Sequence, residues 1–321
     1  MWIEQYIEMK YQKNSKEIKL EEAMELKYNH IPSSLYKYRG YSEYSVQNLK
    51  NDSVWFNSAD KLNDPYDSAL VMRTEQYMKR RIALATFEDL PNFVHKHGIE
   101  ISEEELNTLK REGIEDIFRT ILRRVPDYTE EIIEQLIESV FGVMKDLEES
   151  YTLEKVRKSR EMTFLSCFSE INDSMLMWSH YADSHKGFCL EYNFKKPGRD
   201  SILTRALNPV IYREELLDVS EYLLDGTKYG LEFNNLVSTY WTMIKSLDWA
   251  YEKEWRMIFP LFKGEGFNRA FFKPEAIYLG TEISQEHKEE LVEIAKTKQI
   301  QVFQMNKKTN GVFGLVPELI L

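Results

Sequence analysis

The feature that most constrains the fold is a set of four dense motifs in which polar and aromatic residues lie beside hydrophobic runs. They are far apart in the chain and read LYKYR (35–39), FNSADKLNDPYD (56–67), SCFSEINDSMLMWSHYADSHKG (166–187) and YEKEWR (251–256). A plain hydrophobic core rarely contains so many charges and amides. Groups of this kind converge where a site binds a small polar ligand, so we expect the fold to bring the four motifs together.

Composition predicts a folded chain with a well-filled core. Of the 321 residues, 43% are hydrophobic and 13% are aromatic, which suits one large domain or two ordinary ones. The 53 acidic residues outnumber the 42 basic ones and give a net charge of −11 at pH 7. This balance argues against a protein whose whole surface follows a nucleic-acid backbone.

The cysteines and the N-terminus bear on the compartment. Cys167 and Cys189 each lie inside an apolar run, which predicts buried thiols and argues against a disulfide-stapled secreted scaffold. The N-terminus has no basic start followed by an apolar stretch, and no run approaches the ~20 apolar residues of a membrane helix. We therefore expect a soluble, cytoplasmic protein that does not contact a membrane, and the oligomeric state stays open.

The order of predicted elements indicates an α+β fold. Residues 2 to about 29 are patterned as a helix, and further helices are predicted at Ser42 to Asn51, Ser174 to Asp183 and Ile283 to Lys298. Strands are predicted at Leu35 to Arg39, Ser53 to Ser58, Thr163 to Ser169, Gly187 to Phe194, Pro209 to Tyr212, Trp255 to Phe262, Ala276 to Leu279 and Gln301 to Met305. Because strands and helices do not alternate regularly, an α+β fold is favoured over a doubly wound sheet.

The pattern of residues 68–160 predicts a large helical insertion. Ser102 and Glu105 form a capping box before apolar residues at helical spacing. Pro126 should break this helix, and Thr129 can cap a second one from Glu130 to Glu148. The predicted organisation is an N-terminal helix (1–30) and a single α+β domain (31–321) that contains the insertion.

The fourth motif supplies the main candidate for chemistry. Glu254 precedes the apolar run of a late strand, where a carboxylate is rigidly held and can bind a ribose hydroxyl or stabilise an oxocarbenium-like transition state. Glu252 has the same parity on an extended backbone, so both carboxylates could face one side. Arg256 is a further ligand-binding candidate. The alternative is a Glu–Arg ion pair at the end of a sheet.

The third motif places aromatic residues on one short helix. Trp178 and Tyr181 are three positions apart and share a face, which can pack in the core or stack on an aromatic ligand. His180 lies on another face and can bind a ligand or the backbone. Ser169, just before this helix, is a further candidate for ligand binding.

The first two motifs supply candidates for binding an anion. Lys37 and Arg39 flank Tyr38 and point to one side of a strand, so they can hold a phosphate or guard an exposed edge. Asn63 and Asp64 precede Pro65 and form either a turn or part of a ligand site.

The four motifs, together with the strand AIYLG (276–280), resemble a bacterial family, the domain-of-unknown-function 2971 family. The chain has no glycine-rich dinucleotide fingerprint, phosphate loop, HExxH helix or nucleophile elbow. A second resemblance is to ADP-ribosyltransferases, in the order of a cationic residue on a first strand, an aromatic or hydroxyl residue in the middle and a glutamate on a late strand. It implies a mixed-sheet core like that of the ADP-ribosyltransferase fold, with Lys37 or Arg39 in the first role, Tyr181 or Ser169 in the second and Glu254 in the third.

The second resemblance implies an NAD-consuming enzyme, such as a bacterial toxin or phage-defence effector. NAD would be its substrate, with the nicotinamide against Tyr181 or Trp178, and a nucleic acid or a protein would be the acceptor. Two alternatives stay open. One is a non-catalytic sensor that binds a nucleotide or a protein. The other is a nuclease that holds magnesium through carboxylates, for which the candidates are Asp64, Asp67, Glu252 and Glu254.

Overall fold

The computed structural model describes residues 1–71, 73, 102, 114–125, 128–220, 222, 229–260, 265–309 and 311–321. The chain forms two compact units. The first contains Met1–Ala69, Arg157–Leu217 and Tyr229–Leu321, and the second contains Leu70–Val156 and Asp218–Lys228. The predicted α+β class is confirmed, since helices are combined with a mixed, open sheet.

The secondary structure has the following bounds. The strands are β1 (Leu35–Arg39), β2 (Ser53–Ser58), β3 (Leu70–Val71), β4 (Thr163–Ser169), β5 (Phe188–Tyr192), β6 (Leu207–Pro209), β7 (Ile211–Arg213), β8 (Leu217–Asp218), β9 (Ile244–Ser246), β10 (Glu254–Pro260), β11 (Phe267–Ala270), β12 (Ala276–Leu279), β13 (Gln301–Lys307) and β14 (Leu315–Leu319). The helices are α1 (Trp2–Lys10), α2 (Leu20–His30), α3 (Glu43–Lys50), α4 (Ile114–Leu122), α5 (Glu130–Glu161), α6 (Met175–Tyr181), α7 (Ile202–Ala206), α8 (Val237–Trp241) and α9 (Gln285–Lys298).

The sheet of the first unit runs in the order β11-β2-β4-β1-β5-β12-β13-β14, and β10 pairs with both β4 and β6. Neighbouring strands are antiparallel except β12 and β13, which are parallel and are connected through α9. A parallel pair requires such a crossover connection, and Ser284 caps the crossover helix by accepting a hydrogen bond from the His287 N–H.

An opening in this sheet positions the site. Strand β10 covers one edge of β4 along its whole length. The other edge is shared, because β2 pairs with β4 only at Phe164 and Leu165 and β1 pairs only at Ser169. Helix α3, which connects β1 to β2, begins at a capping box between Ser42 and Ser45. The strands β1 and β2 therefore diverge opposite the middle of β4.

The predicted N-terminal helix is two helices, α1 and α2. Asn14 breaks the run because its side chain accepts the Lys16 N–H and starts a 3₁₀ turn. The amino group of Lys10 donates to Asn208 Oδ1 at 2.9 Å. The buried amino group of Lys27 donates to three backbone carbonyls at 2.6–2.9 Å, those of Thr204, Arg205 and Leu207. Both helices are thus tied to α7 and β6, the neighbour of β10.

The second unit contains α4 and most of α5. Arg119 pairs with Glu134 at 2.6 Å and Arg123 pairs with Glu130 at 2.8 Å, so two ion pairs join the helices. The helix predicted from Glu130 to Glu148 is correct in its start and extends to Glu161. Glu105 of the predicted capping box, the following residues through 113 and the predicted break at Pro126 lie outside the described residues.

The local predictions were most accurate for the central strands. The bounds of β1, β2, β4 and β12 are those predicted, whereas β9, β11 and β14 were not predicted. Strand β9 has three residues and β14 contains a proline, so neither gives a clear alternating pattern. In the described part of the chain, no helix has the length and apolar character needed to cross a membrane.

Candidate functional site

A cavity of about 220 Å³ lies where the sheet opens between β1 and β2. Its floor is the middle of β4, from Ser166 to Phe168. Residues of all four sequence motifs line it. Of the predicted site residues, it brings together Lys37, Tyr38, Arg39, Asn63, Ser169, Tyr181, Glu252 and Glu254.

Glu254 is the first residue of β10 and is only 5% exposed. Arg256 Nε donates to Glu254 Oε1 at 2.7 Å, and Arg256 Nη2 and Lys245 Nζ both donate to Oε2 at 2.9 Å. Burial alone would raise the pKa of Glu254, but these two cations outweigh it and hold the pKa well below its ordinary range. Glu254 is therefore a permanent anion at the wall of the cavity, in the Glu–Arg ion pair that the sequence left as an alternative.

Arg256 is completely buried and does not line the cavity. Its Nη1 and Nη2 donate to the two oxygens of Asp67 at 2.6 Å each, and Nη1 also donates to the Thr242 carbonyl at 2.8 Å. The guanidinium thus joins the end of the second motif to the fourth through a bidentate pair. Arg256 therefore holds the site together through these contacts. It does not contact a ligand in the cavity, because its side chain does not line the cavity.

Lys245, on β9, is a site residue that the sequence did not indicate. Its amino group donates to both Glu252 and Glu254, and it lies 3.8 Å from Asp67 Oδ2. Burial would lower its pKa, but the three carboxylates raise the pKa above its ordinary value. The sequence signal was weak, because a single lysine in the run YWTMIKSL resembles an ordinary exposed position.

Glu252 reaches the cavity by a route that differs from the predicted one. It ends a 3₁₀ segment, and Lys253 has a left-handed backbone (φ 45°), so the two glutamates do not share a side through strand alternation. They converge because both bind Lys245. Burial and the charge of Glu254 raise the pKa of Glu252 above its ordinary value.

Tyr181 binds this pair of glutamates from α6. Its hydroxyl donates to Glu252 Oε1 at 2.6 Å and accepts a longer hydrogen bond of 3.4 Å from Asn63 Nδ2. Burial, together with the charge of Glu252, raises the pKa of Tyr181, so the phenol stays protonated and remains a donor. Ser169 donates to the Glu252 carbonyl at 2.6 Å, which fixes the backbone that carries this glutamate.

Lys37 and Arg39 form the opposite wall. Lys37 Nζ donates to Ser166 Oγ at 2.7 Å and to the Cys167 carbonyl at 3.0 Å, on the stretch of β4 that neither β1 nor β2 pairs. Burial, with a contribution from the charge of Arg39, lowers the pKa of Lys37 to about 7. Within the described residues the Arg39 side chain has no hydrogen bond or ion pair, although burial lowers its pKa.

The strand that carries Arg39 is fixed by a close contact with Gly187. A Cβ on Gly187 would lie 2.1 Å from the Arg39 carbonyl oxygen and 3.0 Å from that of Ala182. The left-handed residues of the preceding turn are Asp183, Ser184 and His185, so the turn itself does not require a glycine at 187. Glycine is required at 187 for the approach of two backbones.

Three other candidates lie outside the cavity or serve the core. Trp178 is completely buried, and its Nε1 donates to the Asn172 carbonyl at 2.7 Å. Tyr38 packs edge-on against it at 5.3 Å and donates to the Ile171 carbonyl. His180 is exposed, and its Nδ1 lies 3.2 Å from the Tyr251 hydroxyl. Of these three, only Tyr38 lines the cavity.

Asn63 and Asp64, which precede Pro65, have different roles. Asp64 Oδ1 accepts the Tyr66 N–H at 2.8 Å, which is the turn that the sequence predicted as one alternative. Asn63 instead lines the cavity beside Tyr181.

Three of the four carboxylates proposed for a nuclease are occupied by protein cations, and Asp64 is the exception. Asp67 and Glu254 bind Arg256, and Glu252 binds Lys245. In the part of the chain that the structure describes, no group of three histidine, cysteine or acidic side chains has the arrangement of a metal site. A carboxylate held by guanidinium is a poor metal ligand, so this donor set does not favour magnesium.

The comparisons with known proteins agree with part of this picture. A family model described as a protein of unknown function, DUF2971, matches residues 177–257. The matched stretch includes Tyr181, Lys245, Glu252 and Glu254. The family resemblance is therefore supported over the part of the chain that supplies the two cavity glutamates and their partners. No curated protein and no solved structure matches the chain significantly. The likeness to ADP-ribosyltransferases therefore has no support beyond the order of elements and residues.

Proposed function

We propose that this cavity binds NAD and breaks the bond between the nicotinamide nitrogen and C1′ of the ribose. One observation carries the proposal: a cation on β1, an aromatic hydroxyl on α6 and two glutamates next to β10 line a single cavity. A cationic residue, an aromatic or hydroxyl residue and a glutamate are the three groups that the resemblance to ADP-ribosyltransferases implies. They occur here in the same order along the chain. The elements are arranged around a mixed sheet, as the transferase resemblance implies.

The charges of the two walls suit the two ends of such a substrate. Arg39 has no partner among the described side chains, so a diphosphate would supply one. Lys37 is buried and hydrogen-bonded to neutral oxygens only, so a nearby anion would favour its charged form. The carboxylates at the opposite wall would face the ribose, where positive charge develops as the glycosidic bond breaks.

The two glutamates differ in their remaining capacity to accept hydrogen bonds. A carboxylate offers about four acceptor positions. Glu254 uses three of them, for Arg256 and Lys245, whereas Glu252 uses two, for Tyr181 and Lys245. We therefore assign the ribose hydroxyl to Glu252, with Glu254 as the fixed negative charge that stabilises the oxocarbenium-like transition state.

The reaction would proceed by displacement at C1′. The C1′–N bond breaks, and nicotinamide leaves with the bonding electron pair. A hydroxyl, amine or water then forms the new bond to C1′ and loses its proton, and Glu252, with its raised pKa, would accept that proton. With an acceptor on a nucleic acid or protein the product is an ADP-ribosylated macromolecule, and with water it is free ADP-ribose.

The size of the cavity limits which part of NAD it encloses. Sites for drug-sized ligands have volumes of about 300–1,000 Å³. A cavity of about 220 Å³ would enclose the nicotinamide and its ribose and leave the adenosine half at the mouth. An enzyme that consumes NAD in this way would act as a toxin or a phage-defence effector by depleting the cell of NAD.

The test is mass spectrometry of the purified protein after incubation with NAD, with nicotinamide as the measured product. We expect release by the wild type and strongly reduced release by Glu254→Gln and Glu252→Gln. Glu191→Gln is the matched control, because both oxygens of Glu191 also accept side-chain hydrogen bonds, in this case from the hydroxyls of Ser34 and Tyr278, but Glu191 does not line the cavity. Equal release by the wild type and both cavity variants would contradict the proposal.

A second candidate, a non-catalytic nucleotide sensor, is favoured by one observation. Both oxygens of Glu254 are engaged by Arg256 and Lys245, an arrangement that also serves a purely structural ion pair. If the protein is a sensor, NAD should raise the melting temperature of the wild type but not that of Arg39→Gln. No nicotinamide should be released.

A further inference from the structure

A second cavity of about 350 Å³ adjoins the first through Lys245, which lines both. Two aromatic rings, Tyr66 and Trp249, lie in its wall, and four carboxylates accompany them: Asp64, Glu214, Glu215 and Asp248. We propose that this cavity binds an organic cation, a guanidinium or a primary ammonium group.

Asp64 is the residue that most favours a cation in this cavity. It is only 7% exposed, and it lines the cavity. Oδ1 accepts the Tyr66 N–H, but Oδ2 has no hydrogen bond or ion pair with any residue that the structure describes. Oδ2 is not one of the fully buried side-chain atoms, so it is open to the cavity that Asp64 lines, and its negative charge favours a ligand that donates hydrogen bonds and carries positive charge.

The residues around the cavity carry mainly negative charge, which suits a cationic ligand. Glu214 and Glu215 have no ion pair within the described ranges, and Asp248 accepts only from the neighbouring hydroxyl of Ser246. Of the two cations in the wall, Lys245 is already neutralised by glutamates of the first cavity. Arg213 is the other, so the negative charges outnumber the unneutralised positive ones.

The rings complete a site for a cation. Trp249 already has the ammonium of Lys245 at 5.0 Å from its ring centre, which is cation–π geometry. The ring of Tyr66 is 66% exposed, so its face can cover a ligand. Carboxylates beside aromatic faces are the combination that recognises guanidinium and ammonium groups.

The test is isothermal titration of the protein, without NAD, with three probes. These are agmatine as a free guanidine, N-acetylarginine amide as a mimic of a protein side chain, and N-acetylcitrulline amide as its uncharged analogue. We expect at least one guanidinium probe to bind and the citrulline analogue to bind at least about tenfold more weakly. Preference for agmatine identifies a small-molecule cation, and preference for the arginine derivative identifies a protein side chain.

Asp64→Asn is the decisive variant. Asparagine keeps the acceptor for the Tyr66 N–H and the turn, but it removes the charge. We expect the variant to bind the guanidinium probe about tenfold more weakly or worse. Asp200→Asn removes one charge at an exposed position that lines neither cavity and should bind like the wild type. Equal binding by Asp64→Asn and the wild type, or equal binding of the citrulline analogue, would overturn the inference.

Discussion

Arg256 binds Asp67 through two hydrogen bonds of 2.6 Å, between residues 189 positions apart in the chain. The pair is completely buried, with 0% of the arginine and 2% of the aspartate side chain exposed. It fixes the second sequence motif against the strand that carries Glu254. The position of Glu254 at the cavity therefore depends on a guanidinium that does not itself line the cavity.

The first prediction concerns the energetics of this pair. Asp67→Asn should lower the free energy of unfolding by about 3–5 kcal/mol, because it leaves the buried guanidinium with one counter-charge fewer. Urea denaturation followed by circular dichroism measures the change. Lys307→Met is the control, since it breaks an exposed ion pair with Glu282 and should change stability little. A similar small loss in both variants would show that the buried pair is not a structural support.

The second prediction concerns pH. The pKa of Glu254 is depressed in the folded protein and is about 4.3 in the unfolded chain, so its stabilising contribution is fully present above that value. This contribution is lost as the pH falls further, towards the folded pKa. Urea titrations from about pH 7 to about pH 3 should show a flatter loss of stability for Glu254→Gln than for the wild type.

The neighbouring carboxyl should behave in the opposite sense. The pKa of Glu252 is raised in the folded protein, so its contribution is present when it is protonated and is lost as the pH rises through the folded pKa. Glu252→Gln should therefore cost less stability near pH 7 than Glu254→Gln. A larger loss for Glu252→Gln in the same titrations would contradict the assigned directions.

A third prediction separates Tyr181 from other tyrosines. Tyr181→Phe keeps the ring but removes the hydrogen bond to Glu252, so NAD turnover should fall about ten- to a hundredfold. Tyr41→Phe removes a similar hydrogen bond to Glu290, away from the cavity, and turnover should not change. Release of nicotinamide under initial-rate conditions measures both. Equal rates in the two variants would remove Tyr181 from the site.

A fourth prediction tests the contact that fixes Arg39. Gly187→Ala places a methyl group 2.1 Å from the Arg39 carbonyl oxygen, so the backbones must move apart at a cost of about 1–3 kcal/mol. Gly40→Ala, at the other side of Arg39, meets only Asp183 Cβ at 3.5 Å and should be nearly neutral. Thermal unfolding of the two variants distinguishes these outcomes, and equal melting temperatures would contradict the close packing.

The elements around the cavity were predictable from sequence where the signals are local. SVWFNS alternates between buried and less buried positions, and a capped helix separates it from the aromatic run LYKYR, so β1, α3 and β2 could be placed. The convergence of the motifs was also expected, because charges and aromatic residues together are unusual outside a site. The sequence therefore indicates Glu252 and Tyr181 as site residues, although it does not predict the contact between them.

The contacts that determine each residue's role could not be predicted in the same way. The bond between Arg256 and Asp67 depends on pairing across 189 positions, and sequence spacing carries no information about it. Lys245 lies on a three-residue strand whose only signal is one lysine among apolar residues. Core packing and ligand stacking require the same helical face, so the sequence left both open for Trp178, and the structure buries Trp178 in the core.

The most direct test of the central claim is a crystal structure of the Glu252→Gln protein with NAD, in which the expected loss of turnover preserves the substrate. We predict the nicotinamide ribose in the cavity between β1 and β10, with a ribose hydroxyl within hydrogen-bonding distance of position 252 and the diphosphate against Arg39. NAD bound elsewhere, or an empty cavity with NAD at saturating concentration in a protein whose fold is unchanged, would contradict the account.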